Sequence, residues 1–121
     1  MFDIEAMQLI WGDEVAPSIG DLSDTGLVVT DGDMIKAFGF LYKTDSNFCI
    51  FSFWHASPKN TKRETYTSFK MIIEAVKKIT VSMNRKHVFV YTQNRGMIKL
   101  LESCDFINND GHLIWTVKQY D

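Results

Sequence analysis

Only two cysteines, Cys49 and Cys104, and two prolines, Pro17 and Pro58, occur in the 121 residues. The cysteines lie far apart in apolar runs and form no CxxC. That excludes the disulfide framework of a small secreted domain and fits a reducing, cytoplasmic setting. No apolar run approaches the roughly 18 residues that span a bilayer. The first residues, MFDIEAMQLIW, carry acids where a signal peptide carries a basic stretch. Neither charge sign dominates: the formal net charge is -2 and the pI is about 5.9. Nucleic-acid or membrane-surface binding therefore has no bulk electrostatic support. Metal spacing is missing too, with no HExxH, no paired cysteines and no acidic calcium loop. Asp31-Gly32-Asp33 stands alone and reads as a hairpin turn. Repeats, low-complexity tracts and linkers are lacking, so residues 1–121 read as one domain.

What is present is a core. Apolar residues make up 45% and aromatics 13% of the chain, a composition that folds. Ile4, Met7, Ile10 and Trp11 suit one face of a short helix capped by Asp3, and residues 1–24 read as helix and loop. Residues 25–56 read as an antiparallel meander. Its strands are Gly26 to Thr30, Met34 to Tyr42 and Asn47 to His55, the first two joined by the Asp31-Gly32 turn. The third strand is nearly all apolar, which places it in the middle of a sheet. Thr61 and Glu64 form a capping-box pattern. The helix that follows turns Phe69, Ile72, Ile73, Val76 and Ile79 inward and ends near Met83 to Arg85. Lys77, Lys78, Arg85 and Lys86 would complement its C-terminal dipole. His87 to Thr92 reads as a strand reached by a parallel crossover. A short helix with Met97, Leu100, Leu101 and Cys104 on one face comes next. A last hairpin then turns at Asp110-Gly111. Residues 61–118 are thus a helix, strand, helix and hairpin, and the whole is an α+β mixed sheet.

The stretch Asn94 to Phe106, NRGMIKLLESCDF, follows the strand HVFVYT and precedes the turn Asn109-Asp110-Gly111. Strand, Asn, short amphipathic helix, Phe and hairpin, in that order, resemble the C-terminal half of the GNAT N-acetyltransferase superfamily. The family pattern there is roughly Asn-x-x-Ala-x-x-Leu-Tyr-x-x-x-Gly-Phe. Asn94, Leu100 and Phe106 match it. Leu101 stands in place of the Tyr, and Asp105 in place of the Gly. The resemblance covers about residues 25–117 and implies a GNAT-like fold. Within the family, overall pattern and size are similar to short, divergent GNAT-like proteins of bacteriophages, including a virion-assembly protein.

The resemblance implies an acetyl-CoA site at the loop between the central strand and the long helix. The family fingerprint there, Arg/Gln-x-x-Gly-x-Gly/Ala, lets backbone amides approach phosphates. The matching segment, SPKNTKRETYTSF, has no glycine. Lys59, Lys62 and Arg63 cluster at this helix start, where they either replace those backbone contacts with charge-assisted ones or form a solvated helix end. Asn94 would lie beside the pantetheine arm, cap its helix, or do both. A proton donor is expected where Leu101 stands, and Leu101 has no proton to donate. Tyr91 is the substitute donor, set against the simpler role of a strand aromatic. His55, ending the central strand, is the candidate base, set against a strand-end histidine satisfied by solvent. Cys49 and Cys104 read as core. Lys59, Lys62, Arg63, Lys70, Lys77, Lys78 and Tyr66 read as a solvated helix face and not as a nucleic-acid surface.

Two functions follow. One is a phage-encoded GNAT-fold protein whose degenerate acetyl-CoA site is no longer catalytic. It would bind a virion component or host protein, in the host cytoplasm or in the virion. The other is an acetyl-CoA-dependent N-acetyltransferase acting on a protein or a small amine. The missing glycines and Tyr favour the first mechanistically. A cleft open between the central strand and His87 to Thr92 would mark the second, and Phe69 filling it would exclude the second. The terminal hairpin with Trp115 and Val117 offers an edge to a second copy.

Overall fold

The computed structural model describes residues 25–118. The expected N-terminal helix over Ile4 to Trp11 lies outside the described residues. The element order is β1 (Thr25–Asp31), β2 (Met34–Lys43), β3 (Phe48–Ala56), α1 (Lys62–Ser82), β4 (His87–Tyr91), α2 (Arg95–Ser103), β5 (Ile107–Asn109) and β6 (His112–Thr116). The six strands form one sheet in the order β1-β2-β3-β4-β6-β5. Only the β3–β4 pair is parallel, as a helical crossover requires. Every other pair is antiparallel.

Both helices cover the same face of the sheet. The core joins Ala37 and Leu41 of β2, Cys49 and Phe51 of β3, and Val88 and Val90 of β4 to Ile72, Ile73 and Val76 of α1 and Leu101 of α2. Alternation along β2 sends Phe38 and Phe40 to the opposite face, where they too are buried. β3 lies inside the sheet, as its composition implies. Its far face is more open than a run of apolar residues suggests, with Ile50 and Phe53 each 40% exposed.

Two bulges shape the site. On β2, Val29 pairs with Ala37 and Thr30 with Ile35, so Lys36 is the extra residue. Its carbonyl accepts hydrogen bonds from Ser57 N at 2.9 Å and from Asn60 Nδ2 at 2.8 Å. Its ammonium reaches Glu64 Oε2 at 2.7 Å. One bulged residue thus anchors both the loop after β3 and the start of α1. On β3, Phe40 faces Ser52 while Phe38 faces His55, which sets Gly39 opposite Phe53 and Trp54. Phe53 takes φ 53°, a left-handed conformation that only the bulge explains. The extra residue brings Phe51 and Trp54, three apart, onto the same face, where their rings stack 5.6 Å apart.

Both helices end in Schellman motifs. In α1, Asn84 has φ 60°. Arg85 N donates to Thr80 O, and Asn84 N to Val81 O. In α2, Asp105 has φ 70°. Phe106 N donates to Leu101 O, and Asp105 N to Glu102 O. The position where the GNAT pattern has Gly is left-handed here, and Asp occupies it with strain. Asp105→Gly should raise stability by roughly 0.5–1 kcal/mol, since glycine adopts this conformation without the steric cost. Urea unfolding of the two proteins checks it, and an unchanged or lower midpoint would show that Asp105 stabilises by another route.

The last turn of α1 holds no basic residue, which corrects the expectation of a cationic helix end. Lys77 instead lies 5.5 Å from the centre of the Trp115 ring. Arg85, beyond the helix, donates to Thr44 O through Nε and Nη2 and to Met83 O through Nη1. It ties the β2–β3 turn to the helix end. The strand carrying Trp115 is not an edge: β6 lies between β4 and β5, and Trp115 is buried. The edge at this end is the three-residue β5, where Ile107 is 76% exposed.

Candidate functional site

β3 and β4 pair over only three positions, Phe48 to Ile50 with His87 to Phe89. Beyond them β3 runs on to Ala56 and β4 to Tyr91 without pairing to each other. A cavity of about 420 Å³ opens at this divergence. Trp54 of β3 and Asn60 of the following loop form part of its wall. Lys62, Thr65, Tyr66 and Phe69 come from the first two turns of α1. Asn94, Gly96, Met97 and Leu100 come from the start of α2. Phe69 is buried and forms wall without filling the space. The Tyr66 hydroxyl lies 3.4 Å from Ser103 Oγ and bridges the two helices.

The start of α1 is closed on itself. Thr61 Oγ1 accepts from Glu64 N, and Glu64 Oε1 accepts from Thr61 N, each at 3.1 Å. This is the capping box that the spacing of Thr61 and Glu64 predicts. The hydrogen bond from Lys36, with those at Thr61, holds the Glu64 carboxyl at about 2, well below its ordinary 4.5. The same bond to Glu64 raises Lys36 above 10.5. A depressed carboxyl stabilises the fold above its unfolded value and loses that contribution as the pH falls through the folded one. Lys36, being raised, contributes below 10.5 and stops doing so as the pH rises past it. Wild type and Glu64→Gln should therefore differ in stability at neutral pH. The difference should shrink as the pH falls from about 4.5 to about 2. Chemical unfolding across that range reads it, and a gap that stays constant would remove Glu64 from acid unfolding.

Asn94 caps α2: its Oδ1 accepts from Met97 N at 2.9 Å. Its own N–H is bonded to Thr92 Oγ1 at 3.1 Å. The side-chain Nδ2 makes no hydrogen bond with the described residues and belongs to a residue of the cavity wall. Asn60 is its counterpart. Because Nδ2 of Asn60 donates to Lys36 O, the orientation of that amide is settled. Its Oδ1 is buried with no donor among the described residues.

Of the residues singled out from sequence, Lys62 and Asn94 line the cavity and are brought together there. Lys59 is exposed on the loop. Arg63 lines a separate concavity with Thr30, Lys36 and Thr67. His55 pairs across from Phe38, on the sheet face away from the helices, with the two rings 6.2 Å apart. Tyr91 also points to that face. It is 56% exposed, its ring lies 4.8 Å from His112, and its hydroxyl accepts from Gln93 Nε2. Neither His55 nor Tyr91 is part of the cavity wall. Leu101, at the position of the family Tyr, is wholly buried. Sequence reasoning missed Asn60 and Thr65. The β3 bulge places Trp54 and the Lys36 carbonyl places Asn60, and neither placement leaves a local signal. Among the described residues no cluster of His, Cys, Asp and Glu could hold a metal ion, and no helix is long and apolar enough to cross a membrane.

No family model and no curated protein matches the sequence. Solved structures do resemble the fold. The ribosomal-protein-S18-alanine N-acetyltransferase from Escherichia coli superimposes with a TM-score of 0.65 at 15% identity, covering 93% of this chain and 84% of that one. YncA, a putative acetyltransferase from Salmonella typhimurium solved with its cofactor acetyl-CoA, gives 0.63 at 10% identity, covering 78% and 65%. Rv2747 from Mycobacterium tuberculosis, solved with CoA, gives 0.59 at 15% identity, covering 71% of this chain. This chain spans half the length of that last protein. At these identities the likeness concerns the fold: an α+β mixed sheet of the kind found in GNAT acetyltransferases.

Proposed function

We propose that the protein binds an acyl thioester of coenzyme A type in the cavity between Trp54 of β3 and the starts of α1 and α2, and passes the acyl group to an amine. The observation that carries this reading is the open divergence of the two strands, with an unfilled cavity of about 420 Å³ at its mouth. Small-molecule sites are concave, mostly apolar and furnished with a few convergent polar groups. Trp54, Phe69, Met97 and Leu100 supply the apolar wall, and Asn60, Lys62, Thr65, Tyr66 and Asn94 the polar groups. Two of the solved structures that share the fold hold CoA or acetyl-CoA. In the reaction the amine nitrogen attacks the thioester carbonyl, a C–N bond forms and the C–S bond breaks. The thiolate that leaves takes up the proton the amine gives up. His55 and Tyr91, on the far face, would meet the amine from the other side of the sheet.

A second reading is favoured by Leu101, whose burial puts a hydrocarbon where the GNAT pattern has a phenol. It is a phage-encoded protein that keeps the fold without catalysis and binds a virion or host partner. Calorimetry with acetyl-CoA, followed by thiol release with peptide and small-amine acceptors, separates the two. Binding with acceptor-dependent thiol release supports transfer. Binding without release supports the second reading, and absence of binding excludes the first.

A further inference from the structure

A second concavity, of about 280 Å³, lies on the sheet face away from the helices. Cys49, Val88, Val90 and Leu113 belong to the helix-side core. Alternation therefore sends Ile50, Phe89, Tyr91, His112 and Ile114 to the other side, where they line this concavity. Ile50 and Phe89 are the last Cα partners of β3 and β4 before the two strands part. The concavity thus sits at the same divergence as the first cavity, across the sheet from it. Ile50, Phe89, Ile114 and Ile107 are successive partners across β3, β4, β6 and β5. They form an apolar row that runs to the sheet edge, where Ile107 is exposed. Phe48 stacks on Phe89 with ring centres 4.4 Å apart and widens the row.

Charge and solvation decide what fits there. Among the described residues no charged side chain belongs to the lining, and its polar side chains are Tyr91 and His112. Asp110, in the turn before His112, is not part of it. A polycationic amine needs carboxylates to meet it. Neither this lining nor the wall of the first cavity supplies one, and the latter carries Lys62 instead. Contiguous exposed apolar surface marks a binding site. Apolar surroundings also disfavour the ammonium form of an amine, and only the free base has the lone pair that attacks a thioester. Ile50 and Ile107 are three strand spacings of about 4.8 Å apart, a longer span than one side chain covers.

Resting on the acyl-transfer reading above, we infer that the far-face concavity takes the acceptor, and that the acceptor is a peptide amine with a large apolar side chain beside the reacting nitrogen. That side chain enters among Ile50, Phe89 and Ile114, and the nitrogen lies at the divergence of β3 and β4. The row out to Ile107 receives the next apolar part of the peptide. The C–N bond forms, the C–S bond breaks, and the proton of the amine goes to the departing thiolate.

Thiol release from acetyl-CoA by the full chain, with Phe-Ala-Ala, Lys-Ala-Ala and spermidine as acceptors, tests this. Phe-Ala-Ala is expected to give a kcat/KM about tenfold or more above the other two, the gain from burying one aromatic side chain. If its advantage is smaller, or another acceptor is preferred, the inference fails while the transfer reading stands. If no acceptor releases thiol, both fail together. Ile50→Glu sets a carboxylate in the lining at a position already 40% exposed. It should shift the ratio of Phe-Ala-Ala to Lys-Ala-Ala by about tenfold or more towards the lysine peptide, with calorimetric affinity for acetyl-CoA unchanged. Tyr91→Glu, at a more exposed position, gives the same reading should Ile50→Glu not fold. A ratio that stays at the wild-type value would place the acceptor elsewhere and overturn the inference.

Discussion

Gly39→Ala is expected to lower stability by roughly 1–3 kcal/mol, a loss of about 5–15 °C in Tm. The reason is local and steric. A Cβ on Gly39 would stand 2.3 Å from Cζ and 2.5 Å from Cε1 of the Phe51 ring, and 3.4 Å from Cβ of Trp54. Phe51 is only 1% exposed and is stacked on Trp54, so its ring has nowhere to go. The methyl would press on the bulge that brings both rings onto the helix face. Shortening the ring should relieve the clash. Gly39→Ala with Phe51→Leu is expected to be less destabilised than the sum of the two single changes, because the residues touch. Thermal unfolding of the four proteins measures this. A Gly39→Ala protein that melts with wild type would mean that the Phe51 ring moves aside freely and the bulge does not depend on it.

Thr65→Trp is expected to do the reverse, leaving the fold and removing the ligand. Thr65 is half-buried on α1 and lines the cavity. Its indole replacement would occupy space that the ligand needs. Threonine and tryptophan have similar helix propensities, so the stability change should stay within roughly 0.5 kcal/mol. Affinity for acetyl-CoA should fall about 100-fold or more, equivalent to about 2.7 kcal/mol. Calorimetry beside a melting curve reads both quantities. Undiminished binding to a folded Thr65→Trp protein would move the ligand site away from the divergence of β3 and β4.

The strands, helices and caps were legible in the sequence because each is written in adjacent residues. Thr61 and Glu64 announced the capping box, and Asp110-Gly111 the last turn. The threes and fours from Phe69 to Ile79 marked the buried face of α1. The GNAT-like order of elements followed from these together, and the structure has it. The cavity was legible only in part. Asn94 was visible as a cap at the end of a strand, but the roles of Asn60 and Trp54 depend on what they meet. Asn60 is held by the carbonyl of Lys36, 24 residues earlier. Trp54 faces the cavity because an extra residue is inserted opposite Gly39. Without that bulge, simple alternation would set Trp54 on the opposite face from Phe51.

The sign of the charge at the start of α1 shows the same division. Lys59, Lys62 and Arg63 are neighbours in sequence and look like a single anion site. In three dimensions successive positions on a helix and its loop point in different directions. Lys62 faces the cavity, Arg63 faces another concavity, and Lys59 faces solvent. The anion beside them, Glu64, is fixed by Lys36 from a distant strand.

By itself, then, the amino-acid sequence determined the elements, their order and the parallel crossover, since local propensity, capping and apolar periodicity act over a few residues. Tertiary structure alone decided which face each chemical group occupies. Long-range pairing, two bulged residues and the divergence of β3 from β4 are properties of contacts between distant segments, and those contacts made the cavity.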